Sequence, residues 1–235
     1  MKKSLILLLV IVGLSIFFAE RNGENFEVKL PSEDMVEKAP SYETVEIETF
    51  DSSKNPIWIQ FDKVPIRGIV YGGNTIETLM VFGQGDKILS ASLSTSDEAY
   101  ARMREKYPEE LKKIRHISQQ EISREQTIAY QPDFILGWKS TFSPRRYGST
   151  DWWQERSVNT YIVATSNHVV PHGTIEDECQ FLDDMGRIFD VREKSEALIN
   201  EIHTEMELTE KSIVGGKPQE VMVVEVSKTG IMDYD

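Results

Sequence analysis

Cysteine is almost absent from this chain: Cys179 is the only one among 235 residues. A single cysteine excludes an intramolecular disulfide and every metal site built from several thiolates, iron–sulfur clusters included. Basic residues are also scarce, since 26 lysines and arginines stand against 39 acidic residues and leave a formal net charge of −13. This balance disfavours the basic face that nucleic acid requires and docking on anionic lipid. We therefore expect no nucleic-acid partner.

Catalytic motifs are missing as well. The sequence contains no Gly-x-Ser-x-Gly elbow, no P-loop and no His-Glu-x-x-His pair. Cys179 falls on the apolar stripe of a predicted helix, which favours a core position over a role as nucleophile. The sequence therefore predicts neither an enzyme nor a resident cofactor, and no metal site.

A long apolar run stands at the start of the chain. Two lysines precede an uncharged segment at residues 4–19, and polar residues follow it. A basic start and a short apolar run without a polar face are typical of a secretory signal peptide. Residues 1–19 are thus predicted to be a signal peptide or an N-terminal anchor, and residues 20–43 a polar tether. The protein is expected to be exported, to the periplasm or the outer face of the cytoplasmic membrane.

Beyond residue 43, strand patterns alternate with helical patterns. Residues 45–50 and 57–61 alternate apolar and polar side chains around the turn DSSKNP, which predicts a β-hairpin. Four buried strands are predicted after it, at RGIVY, KILSASL, FILGW and SVNTYIVAT. Strands that alternate with helices favour a parallel sheet with helices on both faces. The predicted class is α/β, and this lobe spans residues 44–172.

The next region, residues 173–213, is helical in pattern and strongly acidic. Thr174 and Asp177 have the spacing of a capping box, and apolar side chains recur on one stripe after them. A second capping box, Asp190 with Glu193, predicts that the helix restarts and continues to about residue 212. We interpret this region as a long, solvent-exposed strut between two lobes.

The last stretch, residues 214–235, holds one more strand pattern, EVMVVEV at residues 220–226. A strand that opens a new α/β lobe cannot bury its faces alone, because such a lobe needs about 100 residues. We therefore predict that this strand lies outside the first sheet and that the stretch is the start of a second, incomplete α/β lobe.

Three segments resemble the periplasmic binding proteins for ferric siderophores, haem and cobalamin. They are KVPIRGIVYGGNTIETLMVFGQGDKILSAS, SREQTIAYQPDFILG and TIEDECQFLDDMGRIFDVREKSEALI, in that order. The second departs from the family pattern at Thr127 and Tyr130, and the third at Met185. The resemblance implies two lobes joined by one long helix, with the ligand held in the cleft between them.

The resemblance also implies a function and partners. The protein would be the extracytoplasmic solute-binding component of an ABC importer, a monomer that captures an iron complex and delivers it to a membrane permease. The family docks on its permease through one surface glutamate per lobe, and the first-lobe position falls on Glu125. The second would lie beyond Asp235, so an alternative stays open here: a one-lobed scaffold or regulatory protein that docks on the permease without carrying solute.

Ligands of parallel sheets bind outside the carboxyl ends of the strands. The loop WKSTFSPRRYGSTDWW follows the third predicted strand and combines aromatic rings with an adjacent arginine pair. Guanidinium groups pair with carboxylate or catecholate oxygens, which favours ligand binding by the arginines, whereas the tryptophans suit the core equally well. His168 also fits a plain surface loop. The predicted ligand-binding residues are Asn74, Ser94, Trp138, Arg145, Arg146, Tyr147, Trp152 and His168.

Overall fold

The computed structural model describes residues 42–93, 98–120, 122–213, 215–216, 224–227 and 230–233. The predicted signal segment and Ser94, one of the predicted ligand contacts, lie outside these residues. Within the described part of the chain, no helix combines the length and the apolar character needed to cross a membrane.

An antiparallel hairpin opens the described part. Strand β1 (Val45–Phe50) pairs with β2 (Pro56–Phe61) as the predicted hairpin, with Ile47 opposite Ile59 on the buried face. On the opposite face of the hairpin, Trp58 is 66% exposed. The alternation of apolar and polar side chains thus predicted this element correctly.

A parallel sheet of five strands forms the centre. In spatial order it contains β5 (His116–Ser118), β4 (Ile88–Ser92), β3 (Gly68–Tyr71), β6 (Phe134–Gly137) and β7 (Asn159–Ile162). Four of these are the predicted strands. The edge strand β5 was not predicted, because three residues with a single aliphatic side chain carry no periodic signal.

Alternate residues of the central strands face two separate cores. Val70 and Leu136 belong to one core, with side chains of the hairpin and of helices on that face. Ile69 and Ile135 belong to the other, which includes Trp153. The predicted α/β layering is therefore confirmed. The helices are α1 (Gly73–Val81), α2 (Glu98–Lys106), α3 (Pro108–Lys113), α4 (Arg124–Tyr130), α5 (Thr150–Gln154), α6 (Ile175–Ile188) and α7 (Arg192–Ser212).

Helices α6 and α7 follow the predicted pattern, with one difference. The capping box of Thr174 and Asp177 starts α6, and α7 runs for 21 residues as expected. The second predicted capping box is wrong: Asp190 adopts φ +56° in the turn, and Val191 holds the N-cap position without a side-chain hydrogen bond. The turn itself, rather than a polar cap, separates the two helices.

Strand β8 (Val224–Ser227) pairs with β9 (Gly230–Asp233) as an antiparallel two-stranded sheet, separate from the five-stranded one. The prediction that the strand at residues 220–226 lies outside the first sheet is confirmed for its described part. The domain boundaries given above stay predictions.

Candidate functional site

A cavity of about 240 Å³ opens where the carboxyl ends of β3, β6 and β7 lie side by side. This edge of a parallel sheet is where ligands bind in open α/β folds. Its walls come from the first turn of α1, the residue after β6 and the loop after β7. The lining residues are Asn74, Trp138, Val163, Thr165, Ser166 and Asn167.

Trp138 forms the aromatic wall of this cavity. Its indole is 37% exposed and meets the ring of Tyr71 edge-on, with 5.9 Å between ring centroids. Gly72 makes this position possible, because it has φ +105° and a Cβ there would lie 2.9 Å from the indole Nε1. A glycine between β3 and α1 therefore lets the backbone turn tightly beneath the ring.

Hydrogen bonds hold the polar wall in place. The Ser166 hydroxyl accepts a hydrogen bond from the Lys139 amide at 3.0 Å, and Asn167 Oδ1 accepts one from the Ser140 amide at 3.0 Å. Asn167 adopts φ +50°, a left-handed conformation that asparagine tolerates better than most residues. The loops after β6 and β7 are thus fastened to each other, which shapes the cavity.

Of the predicted ligand contacts, the structure brings Asn74 and Trp138 together at this cavity. His168 directly follows Asn167, a lining residue, and is exposed. Its backbone carbonyl accepts a hydrogen bond from the Lys54 ammonium at 2.7 Å. The polar residues 165–167 were not among the predicted ligand contacts. Their signal in the sequence is a polar run that begins at the last residue of a predicted strand.

Tyr147 was predicted to contact the ligand, but the structure buries its side chain in the core. Its ring is 1% exposed and belongs to the second core, and its carbonyl accepts a hydrogen bond from the indole of Trp153 at 2.8 Å. The loop folds this aromatic side chain inward because burial removes a large apolar surface from water.

Trp152 contacts cations of its own chain. The Arg156 guanidinium lies 3.7 Å from its ring centroid, and the Arg124 guanidinium lies 5.8 Å away. Trp152 is half-buried and is not among the residues that line the cavity. Arg145 and Arg146 are exposed on the loop after β6 and do not line the cavity either; their ligand role stays a prediction.

Glu125 lies in the first turn of α4, where Ser123 caps the helix. Its side chain is exposed, and among the described residues no ion pair involves it. Hydrogen bonds from its own backbone amide and from the Ser123 hydroxyl lower the pKa of this carboxyl group. It is thus a charged surface carboxylate, and its docking role stays a prediction.

A second cavity, of about 320 Å³, lies between the hairpin and α6. Asp184 on its wall is 2% exposed and accepts hydrogen bonds from the Tyr161 hydroxyl at 2.7 Å and the Gln180 amide at 2.9 Å. Burial raises the pKa of Asp184 to about 6, although these bonds and Arg187 act in the opposite direction. This arrangement is polar and internally satisfied, which favours a structural role over ligand binding.

Comparison with solved structures supports the architecture. A periplasmic binding protein from Veillonella parvula DSM 2008 is 28% identical, with a TM-score of 0.73, over 82% of this chain and 60% of that protein. The petrobactin-binding protein YclQ from Bacillus subtilis is 16% identical, with a TM-score of 0.55, over 82% and 61%. The siderophore-binding protein BauB, bound to two acinetobactin molecules and ferric iron, is 15% identical, with a TM-score of 0.56, over 82% and 62%.

The two siderophore-binding proteins are similar in fold alone at these identities. This chain spans about three fifths of the length of all three structures. No curated protein matches the chain. A family profile described as periplasmic binding protein matches residues 69–232, more than half of the chain. The resemblance inferred from the three sequence segments is confirmed, and the chain belongs to the periplasmic binding protein family.

Proposed function

We propose that this chain is the solute-binding component of an ABC importer. It would hold an anionic iron chelate, a ferric siderophore or haem, at the carboxyl edge of its sheet and deliver it to a membrane permease. The observation that carries this proposal is the cavity between α1, Trp138 and the loop after β7. Its position matches the ligand-binding edge of parallel sheets, and two proteins of similar fold are named for siderophore binding.

The chemistry of the cavity suits a ring-bearing chelate. The Trp138 indole offers an aromatic surface to a catecholate or porphyrin ring, and Asn74, Thr165 and Asn167 offer hydrogen-bonding groups. At about 240 Å³ the cavity is smaller than the roughly 300–1,000 Å³ of pockets that enclose a drug-sized ligand. The proposal therefore places one side of the chelate here and the other against a second lobe.

Charge decides which residues must supply affinity for an anion. The chain carries a formal charge of −13, so long-range attraction of an anionic chelate is unfavourable. Local cations are therefore needed to bind an anionic chelate. The exposed neighbours Arg145 and Arg146 lie on the loop after β6, the same loop that begins with Trp138. Arginine pairs with carboxylate and catecholate oxygens through two parallel hydrogen bonds.

Equilibrium dialysis of the full chain against ferric catecholate, hydroxamate and citrate complexes and against haem tests the proposal. Trp138→Ala is expected to weaken the tightest complex about tenfold, equivalent to about 1.4 kcal/mol of lost ring contact. Trp58→Ala is the matched control, because Trp58 is also exposed but lies on β2. Equal binding by both variants and the parent chain would rule out the cavity as the ligand site.

The same dialysis tests the arginine pair. A charge-assisted hydrogen bond contributes about 1.5–3 kcal/mol, so Arg145→Ala or Arg146→Ala should weaken binding about ten- to a hundredfold. Arg104→Ala, which removes an exposed arginine from α2, should leave binding unchanged. If neither loop variant differs from the Arg104 variant, the loop after β6 is not the ligand clamp.

A further inference from the structure

Three side chains with metal-ligating atoms meet between α6 and α7. They are Glu176 in the first turn of α6, Cys179 one turn later, and His203 of α7. The Glu176 carboxylate oxygen, the Cys179 Sγ and the His203 ring nitrogen all lie within 4.8 Å of one another. None of the three lines the cavity at the carboxyl edge.

Two of the three distances in this cluster match those between ligands of a tetrahedral zinc ion. His203 Nε2 lies 3.7 Å from Cys179 Sγ and 3.2 Å from Glu176 Oε1. Zinc binds sulfur at about 2.3 Å, and nitrogen and oxygen at about 2.0–2.2 Å. At tetrahedral angles these bonds separate sulfur from nitrogen by about 3.6 Å and nitrogen from oxygen by about 3.4 Å. The two His203 pairs are therefore within about 0.2 Å of the separations that an ion requires. The third pair, Cys179 Sγ with a Glu176 oxygen, lies within 4.8 Å, so the exposed Glu176 side chain would move toward the ion by up to about 1 Å.

The fold brings the three ligands together in an ordered way. Glu176 and Cys179 are three residues apart on one helix and therefore share a face. His203 approaches that face from α7, and the close contact of Gly186 with Ser195 sets the spacing of the two helices. Each ligand thus belongs to a regular helix, which preserves the geometry better than a loop would.

Charge at this position favours a divalent cation. Three acidic residues, Glu176, Asp177 and Glu178, stand in the first turn of α6 next to Cys179. One thiolate and one carboxylate from this cluster would neutralise the two charges of a bound dication. Thiolate and imidazole ligands also select zinc-like ions over calcium and magnesium, which prefer oxygen ligands.

We propose that Glu176, Cys179 and His203 bind one divalent cation of the zinc class, with a fourth position open to water. The exposed Glu176 gives the ion access from solvent, and the bound ion links α6 to α7. This site is independent of the proposed chelate site, because it uses different residues and a different ligand chemistry.

Cobalt titration of the reduced full-length chain tests the site. One equivalent of Co²⁺ should produce a thiolate-to-cobalt charge-transfer band together with the visible bands of tetrahedral cobalt, and Zn²⁺ should abolish both. Cys179 is the only cysteine in the chain, so the charge-transfer band reports this residue alone. A cobalt spectrum without that band would overturn the proposal.

Variants distinguish the loss of a metal ligand from the loss of a nearby negative charge. Cys179→Ala should abolish the charge-transfer band, and His203→Gln and Glu176→Gln should each weaken Co²⁺ binding at least tenfold. Glu205→Gln removes the same charge from an exposed position on α7 and should bind as the parent does. Glu176 and His203 are at the surface, so their variants report on binding even if Cys179→Ala does not fold. If the His203→Gln variant binds Co²⁺ as tightly as the Glu205→Gln variant does, the proposed site is overturned.

Discussion

Asp184 illustrates what burial does to a single side chain. Its carboxylate lies beneath the hairpin and accepts hydrogen bonds from Tyr161 and Gln180, with an Arg187 nitrogen 3.8 Å away. Even so, burial dominates and raises its pKa to about 6, from 3.8 when it is exposed. The folded state therefore binds the Asp184 proton more tightly than the unfolded state does.

This difference predicts how pH acts on stability. A carboxyl group with a raised pKa in the folded state stabilises most below its unfolded pKa, near 4, and that contribution is lost as pH rises through about 6. Asp184→Asn removes the titration but keeps a hydrogen-bonding side chain. Relative to the variant, the parent should lose on the order of 2 kcal/mol of unfolding free energy between pH 4 and pH 7.

Urea unfolding at both pH values measures this loss. Glu201→Gln, which neutralises an exposed carboxylate on α7, should retain the pH dependence of the parent. An Asp184→Asn variant with an unchanged pH dependence would show that Asp184 titrates near its ordinary pKa.

At the scale of elements, the turn between α6 and α7 depends on one glycine. A Cβ on Gly186 would lie 2.0 Å from Ser195 Oγ and 2.6 Å from Ser195 Cβ. The Val191 amide donates to the Gly186 carbonyl at 2.7 Å, so the backbone at this turn is held in place as well. The two helices approach closely here because both residues are small.

Gly186→Ala sets two effects of opposite sign against each other. Helix propensity alone predicts that alanine stabilises α6 by about 1 kcal/mol. The steric conflict with Ser195 predicts overpacking that costs about 1–3 kcal/mol, and we expect it to dominate because the contact involves a buried side chain and its Cβ.

Urea unfolding should therefore show Gly186→Ala to be less stable than the parent. The double variant Gly186→Ala with Ser195→Gly should recover part of the loss, and Ser195→Gly alone provides the baseline. A Gly186→Ala chain that is more stable than the parent would mean that propensity, and not packing, governs this turn.

At the scale of the whole molecule, the surface includes a candidate docking position. Glu125 is exposed and has its pKa lowered, so it is ionised at neutral pH and available to an arginine of another protein. If Glu125 takes part in the proposed docking on a permease, Glu125→Gln removes an exposed ion pair of about 0.2–1 kcal/mol and should weaken docking by at most about fivefold.

Uptake of the bound chelate by cells that contain the permease measures this effect. Chelate binding by the purified Glu125→Gln chain should equal that of the parent, because Glu125 does not line the cavity. Glu105→Gln, an exposed glutamate of α2, is the control. Unchanged uptake by the Glu125 variant would remove the docking role.

The sequence by itself determined the elements whose signal is local. The hairpin at residues 45–61, four of the five parallel strands and the capping box of α6 follow from periodicity and capping chemistry within a few residues. The break before α7 was also predicted, but from a capping box that the structure does not form. The family resemblance rests on such segments too, in order along the chain. The edge strand β5 was not found, because it is three residues long and draws its stability from pairing with β4.

Only the tertiary structure decided which side chains meet. Tyr147 was predicted at the ligand site but is buried, because packing against Trp153 is set by contacts that no local pattern encodes. Glu176, Cys179 and His203 come together across 24 to 27 residues through the packing of two helices. Periodicity within one helix gives the face of each residue, but the register between helices depends on contacts such as that of Gly186, and these exist only in the folded chain.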